Sequence, residues 1–196
     1  MPKMVELKQS EKKKRILEAA AKLFRDKGYS ATSMRDLAAA VDLKASSLYN
    51  HIGSKEEILK EICFANAERF LNGIKKIDQD SINPLSKITN LIHLHIDIAL
   101  EDFTSVTSFN DEWRQLSEPH LSTFSTMRKN YEEKFLNIIR KAQQGGQIKS
   151  TDAQICLYTI LSSTRWVYDY SQHSRVDNDQ EIKSSITEIL IKGLSC

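Results

Sequence analysis

Glycine and proline are scarce in this chain, six and three among 196 residues. So few breakers, with long stretches free of turn clusters, exclude a β-rich fold and favour helices throughout. Cysteine is also rare. Cys63, Cys156 and Cys196 are far apart and odd in number, which speaks against a disulfide framework and against a zinc cluster. No run approaches the roughly 18 consecutive apolar residues of a membrane-spanning helix. The opening "MPKMVELKQSEKKKR" has neither an apolar signal core nor a cleavage site, so a cytoplasmic location is expected. A glycine-rich phosphate loop, a nucleophile elbow and a metal-ligand set are all missing, so neither enzymatic activity nor a cofactor is expected. In "HLHID", His93 and Asp97 share a helical face while His95 does not. Two ligands are too few for a closed metal site, and none is expected.

The formal net charge is only +2, but it is unevenly spread. Residues 1–60 hold 13 Lys and Arg against 8 Asp and Glu, whereas residues 61–196 hold 15 against 18. A basic head on a mildly acidic body suits a polyanionic partner at the head.

Apolar spacing predicts an all-α chain of about nine helices. Ile16, Leu17, Ala20, Leu23 and Phe24 form one stripe of a first helix, Ser10 to Lys27, stopped by Gly28. Ser33 and Asp36 make a capping box for a second, Met34 to Ala40. "VDLK" breaks it, with Asp42 suited to a left-handed turn. A third helix, Ala45 to His51, points Leu48 and Ile52 inward. Ser54 and Glu57 cap a fourth that runs from Lys55 into the seventies. Asn83 and Pro84 start a fifth, to about Leu100, and "EDFTSVTSFNDEWRQL" is a shorter irregular one. A long helix follows Ser117 and Pro119 up to Gly145. Thr151 with Gln154 caps the next, to about Ser171, and Asn178 with Glu181 the last, to about Lys192.

Two short helices joined by a tight turn after a supporting helix match a helix-turn-helix. The second helix must enter the major groove, so it is short, apolar inside and polar outside. With Leu48 and Ile52 as anchors, Lys44, Ala45, Ser46, Ser47, Tyr49, Asn50 and His51 are left for DNA. Lys44 and Lys55 suit phosphates, as do the hydroxyls of Thr32, Ser33 and Tyr49; Met34 and Arg35 complete the candidate DNA surface. Asn50 can pair with an adenine edge, Lys44 with a guanine, and Ala45 can touch a thymine methyl.

Residues 16–59, "ILEAAAKLFRDKGYSATSMRDLAAAVDLKASSLYNHIGSKEEIL", resemble the DNA-binding domain of the tetracycline-repressor (TetR) family of transcriptional regulators. The resemblance rests on Ala21, Leu23, Phe24, Gly28, Thr32, Leu37, Ala38, Leu48, Tyr49, His51, Ile52, Lys55 and Leu59. Asp42 departs from it, standing where the family usually has the turn glycine. The resemblance implies a DNA-binding domain over residues 1–54 and a helical ligand-binding and dimerisation domain over 55–196. It also implies a homodimer on a palindromic operator in double-stranded DNA. The expected dimer face is Ile182, Ile186, Ile189 and Gly193 on the last helix, with Ile155, Tyr158, Ser162 and Trp166 on its neighbour.

"NDEWRQL", "RKNYEEKFLNIIRKAQQGGQI" and "ILSSTRWVYDYSQH" resemble, more loosely, the branch of that family responsive to acyl-CoA thioesters. This implies a repressor released by a small hydrophobic ligand held in an apolar tunnel. Candidate lining residues are Leu91, Leu94, Ile98, Phe103, Phe109 and Trp113, then Phe124, Met127, Tyr131, Leu161, Trp166 and Tyr170. Arg114, Arg128 and Arg165 are candidates for the phosphates of a coenzyme. An aromatic or drug-like ligand fits the same pattern, and a helical protein-interaction adaptor is a more distant alternative.

Overall fold

The computed structural model describes residues 2–167 and 179–194. Among the described residues the regular elements are nine α-helices and one 3-10 turn, as the apolar spacing predicts. The helices are α1 (Pro2–Lys27), α2 (Met34–Ala40), α3 (Ala45–Leu48), α4 (Lys55–Gln79) and α5 (Pro84–Glu101). They continue with α6 (Phe103–Glu112), α7 (His120–Gln144), α8 (Ala153–Arg165) and α9 (Asp179–Leu194), and the 3-10 turn Trp113–Gln115 follows α6. The chain divides into two compact units. One is Met1–Asn66 with Thr104–Phe124, and the other is Ala67–Phe103 with Ser125–Cys196.

In the first unit, Ile16, Ala20 and Phe24 bury the stripe of α1. Gly28 ends that helix at φ +84°, where its amide donates to the Phe24 carbonyl at 2.8 Å. Ser33 and Asp36 form the expected reciprocal capping box at the start of α2. The helix ends in a residue no glycine supplies: Asp42 takes φ +55°. Around it the Asp42 amide donates to Ala39 O at 3.3 Å and the Leu43 amide to Ala38 O at 2.9 Å. This is the paired pattern that closes a helix through a left-handed residue. Aspartate tolerates that conformation better than most side chains, yet still less well than glycine. Asp42→Gly is therefore expected to stabilise the protein by about 0.5 kcal/mol, the lost steric cost being partly offset by glycine's larger unfolded entropy. Asp42→Val should instead cost about 1–2 kcal/mol, since a β-branched residue is a true outlier there. Urea midpoints of the three proteins check this, and equal midpoints would show an unstrained turn.

Four boundaries differ from the sequence expectation, the first being the start of α1 at Pro2 rather than Ser10. α3 stops at Leu48, because Asn50 and His51 donate to carbonyls three residues back, to Ser47 at 3.3 Å and Leu48 at 2.9 Å, tightening the segment into a turn. α8 is capped by Asp152, not Thr151: the Asp152 carboxylate accepts from the Gln154 and Ile155 amides at 2.7 and 3.2 Å. The Thr151 hydroxyl lies 3.0 Å from the Cys156 sulfur instead. α8 ends at Arg165 rather than near Ser171. Asn178, the expected cap of the last helix, lies outside the described residues.

In the second unit, Asn83 caps α5 with Pro84 at its first position, as expected. α9 packs on α5 and α8, and this packing corrects the expected dimer seam. Ile182 and Ile186 are only 7% and 6% exposed and face their own subunit, whereas Ile189 is 72% exposed. The inward row runs in steps of four, through Ile182, Ile186 and the half-buried Leu190 and Leu194. The step of three from Ile186 to Ile189 rotates the side chain out of that row. Gly193 is exposed, as are Ile155, Tyr158, Ser162 and Trp166 on α8.

Candidate nucleic-acid interface and apolar cores

Leu37 and Ala38 of α2 and Leu48 and Ile52 around α3 are all sealed in the first unit. Helix periodicity then forces the intervening positions outward. Arg35, Lys44, Ser46, Tyr49 and Asn50 are exposed, Tyr49 at 53%. No hydrogen bond or ion pair to a described residue engages the side chains of Arg35, Lys44, Ser46 or Asn50. Met34, Ala45, Ser47 and His51 are half-buried at the edges of the same surface. Lys44 is the residue preceding the first turn of α3, with extended backbone and no side-chain cap, so its ammonium is left to solvent.

Three of the candidate phosphate contacts need correcting. Thr32 is 1% exposed, and its hydroxyl donates to the Gly28 carbonyl at 2.9 Å. The Ser33 hydroxyl donates to the Asp36 carboxylate, while Ser33 Oγ accepts from the Asp36 amide at 3.2 Å. The Ser33 hydroxyl, then the Ser33 amide, which donates to the same carboxylate at 2.8 Å, hold the Asp36 carboxyl below the usual carboxylate range. The Lys55 ammonium donates to the carbonyls of Tyr29 and Thr32 at 2.7 and 2.8 Å and lies 4.2 Å from the Tyr29 ring centre. All three groups hold the α1–α2 connection in place rather than presenting donors to a phosphate.

Two carboxylates were not anticipated from the sequence. Glu112 Oε1 accepts from the Tyr29 amide at 2.9 Å, and Glu56 Oε1 accepts from the Ser117 amide at 2.9 Å. Both bonds lie inside the first unit: that of Glu112 ties the end of α6 to the α1–α2 connection, and that of Glu56 ties the start of α4 to the segment after the 3-10 turn. Tyr29 is flanked by this arrangement: burial first, then Glu56 and Glu112, raise its phenol above the ordinary value. Partners separated by 83 and 61 residues leave no local spacing to read.

Among the candidate ligand-lining residues, Phe109, Trp113 and Phe124 join an aromatic cluster in the first unit and Tyr131 joins one in the second. In the first unit Phe124 is sealed, with Phe64, Phe109 and Trp113 centred 6.2, 5.5 and 5.5 Å away. Arg114 stacks on Trp113 at 4.5 Å. In the second unit Tyr131 sits against Phe70, His95 and Phe135 at 5.8, 5.7 and 6.2 Å. Leu91 and Ile98 are buried there, while Leu94, Met127 and Leu161 are half-buried. Arg128 pairs with Glu132 at 3.5 Å, and Arg165 and Trp166 are exposed. Tyr170 and the side chain of Phe103 lie outside the described residues. Asp97 is engaged by Lys183. Cys63 is buried in the first unit, and burial, with Glu112 adding to it, pushes its thiol up to about 12, which makes it inert.

The helical arrangement and the basic, unpaired surface on α2 and α3 agree with what comparison with known proteins finds. The family profile described as "Bacterial regulatory proteins, tetR family" matches residues 16–62, and that described as "Tetracyclin repressor-like, C-terminal domain" matches residues 81–194. The transcriptional repressor KstR2 of Mycolicibacterium smegmatis is 26% identical over 153 residues, covering 78% of this chain and 75% of the relative. The solved structure of the ketosteroid transcriptional regulator KstR2 of Mycobacterium tuberculosis superimposes with a TM-score of 0.84 at 22% identity, covering 94% of this chain and 95% of that one. That of AibR in complex with isovaleryl coenzyme A and operator DNA superimposes with a TM-score of 0.79 at 24% identity, covering 94% and 98%. Its DNA-binding and C-terminal domains both matched, the chain belongs to the tetracycline-repressor (TetR) family of DNA-binding transcriptional regulators.

Proposed function

We propose that this protein is a cytoplasmic homodimeric repressor that leaves a palindromic operator when a small hydrophobic ligand binds, with an acyl-CoA thioester as the first candidate. Residues 1–54 carry DNA binding, and residues 55–196 carry the ligand and the partner subunit. The observation that carries this reading is the α2–α3 surface, where unpaired basic and amide side chains stand on a segment pinned from below by Leu48 and Ile52. Two such segments need a two-fold axis to read a palindrome. The exposed Ile155, Tyr158 and Trp166 of α8 and Ile189 of α9 are the apolar surface that suits that axis. Isovaleryl coenzyme A in the AibR complex supports the thioester. A flat aromatic or drug-like ligand is the second reading, favoured by the ring clusters around Phe124 and Tyr131.

A gel shift on the protein's own promoter region tests the reading. A retarded band at low salt is expected, and its loss when acyl-CoA is added. Lys44→Ala should weaken binding equally across sequences and lower the salt slope by about one unit per subunit. Asn50→Ala should relax preference at one base position. A folded dimer that retards no DNA at low salt would overturn the regulator's proposed operator, and an acyl-CoA panel that shifts neither the band nor the melting temperature would overturn the thioester.

A further inference from the structure

The second unit contains one polar pair that its packing alone does not require. His95 Nε2 lies 2.7 Å from the Tyr131 hydroxyl. Phe70 covers the pair, its ring centred 4.6 Å from His95 and tilted by 30°, and 5.8 Å from Tyr131. Phe135 meets the Tyr131 ring edge-on, with centroids 6.2 Å apart. One turn before and after His95, Leu91, Ile92, Ile98 and Ala99 are all buried. Burying a hydroxyl and an imidazole among such groups costs free energy unless their hydrogen bonds are made. One bond is made between them, and neither residue has a sealed polar atom without a partner, so the pair's remaining donor lies where it can be reached. His95 keeps part of its surface open, and its Nδ1 has no partner among the described residues.

We propose that His95 and Tyr131 form a neutral polar anchor that takes the carbonyl oxygen of an otherwise apolar ligand within this unit. The proposal rests on the reading that the C-terminal helices take a small hydrophobic ligand. Donor counting carries it further. If the Tyr131 hydroxyl donates to Nε2, the Nδ1–H remains as the free donor. If Nε2–H donates to Tyr131, the phenol O–H remains instead. Either tautomer leaves one donor for one acceptor, which is the requirement of a ketone, an ester or a thioester carbonyl. The site is unsuited to an anion. Burial drives the His95 ring down to about 4 and raises the Tyr131 phenol, so neither group carries a charge near neutral pH. A carboxylate or phosphate would be desolvated there against a single neutral donor. The charged part of any coenzyme-bearing ligand must therefore be held by other groups, with only the carbonyl reaching the pair.

The test uses the full-length protein and two matched probe pairs, 2-nonanone against nonane and octanoyl-CoA against its thioether analogue S-octyl-CoA. Competition binding is read for the wild type, Tyr131→Phe, His95→Phe and the double variant carrying both, with circular dichroism confirming the fold of each. The wild type is expected to prefer the ketone over the alkane by about tenfold or more, because a site built around a hydrogen bond rejects the analogue lacking it. The double variant Tyr131→Phe with His95→Phe, which keeps rings at both positions and removes every donor, should abolish the preference while leaving the alkane's affinity unchanged. Each single variant leaves one donor of the pair and should reduce the preference without abolishing it. Absence of a ketone preference in the wild type, whether both probes bind equally or neither binds, overturns the anchor. So does a preference that survives undiminished in the double variant. Failure of both coenzyme probes alongside an intact ketone preference overturns the thioester reading of the function and leaves the anchor standing.

Discussion

Replacing Lys55 by methionine is expected to destabilise the protein by about 2–3 kcal/mol and to abolish tight DNA binding. Methionine keeps the length of the side chain and the helix propensity of the first residue of α4. The change therefore removes only the ammonium. Two charge-assisted bonds disappear, at 2.7 and 2.8 Å; the Thr32 carbonyl loses the ammonium as its donor, while the Tyr29 carbonyl keeps the Thr32 amide at 3.2 Å. The contact over the Tyr29 ring is lost with them. A bond to a charged group is worth about 1.5–3 kcal/mol, and partial solvent access keeps the two from adding in full. DNA binding is lost because the Tyr29–Thr32 connection sets where α2 begins, and α2 supports the short α3 segment. Urea unfolding and a gel shift on the same preparation measure both effects. If Lys55→Met unfolds at the wild-type midpoint, these bonds are incidental. If it is destabilised but binds DNA normally, the loop does not position the interface.

Phe124→Ala is expected to cost about 3–5 kcal/mol, the usual range for deleting a buried aromatic ring. Phe124 is 0% exposed and is the ring on which Phe64, Phe109 and Trp113 converge. All four lie in the first unit, which also contains α2 and α3. Against a total stability of about 5–15 kcal/mol, a loss of that size leaves the protein marginal near body temperature. Phe124→Leu should cost much less because it leaves a smaller void. An apolar cavity of this kind stays dry and binds small aromatics, so benzene should raise the melting temperature of Phe124→Ala and not that of the wild type. Calorimetric melting with and without benzene checks both points. A change below about 1 kcal/mol would show that the neighbouring rings collapse into the space.

Features governed by a few adjacent residues were legible in the sequence. The capping box of Ser33 with Asp36 and the Asn83–Pro84 start of α5 are local bonds between residues up to three apart, and the spacing alone reports them. The left-handed Asp42 is of the same kind, since the break after Ala40 demands such a residue and no glycine is present. The burial of Leu48 and Ile52 and the exposure of Lys44, Ser46, Tyr49 and Asn50 follow from helical period.

What distant partners decide was not legible. Lys55, Thr32 and Ser33 look like donors awaiting a phosphate when only their side-chain chemistry is considered. Whether a donor is free depends on which acceptors lie within about 3 Å of it. Lys55 meets carbonyls 26 and 23 residues earlier, and Glu112 meets an amide 83 residues earlier. Ile182, Ile186 and Ile189 read as one stripe because their spacing fits a seam, yet the cover supplied by α5 and α8 takes the first two and leaves the third to solvent. The pairing of His95 with Tyr131, 36 residues apart on different helices, is of the same kind. Periodicity and capping chemistry thus determine the helices and the polar face of α2 and α3, because those depend on neighbours along the chain. Tertiary structure decides which polar groups remain unpaired and which apolar ones remain uncovered, because that depends on neighbours in space.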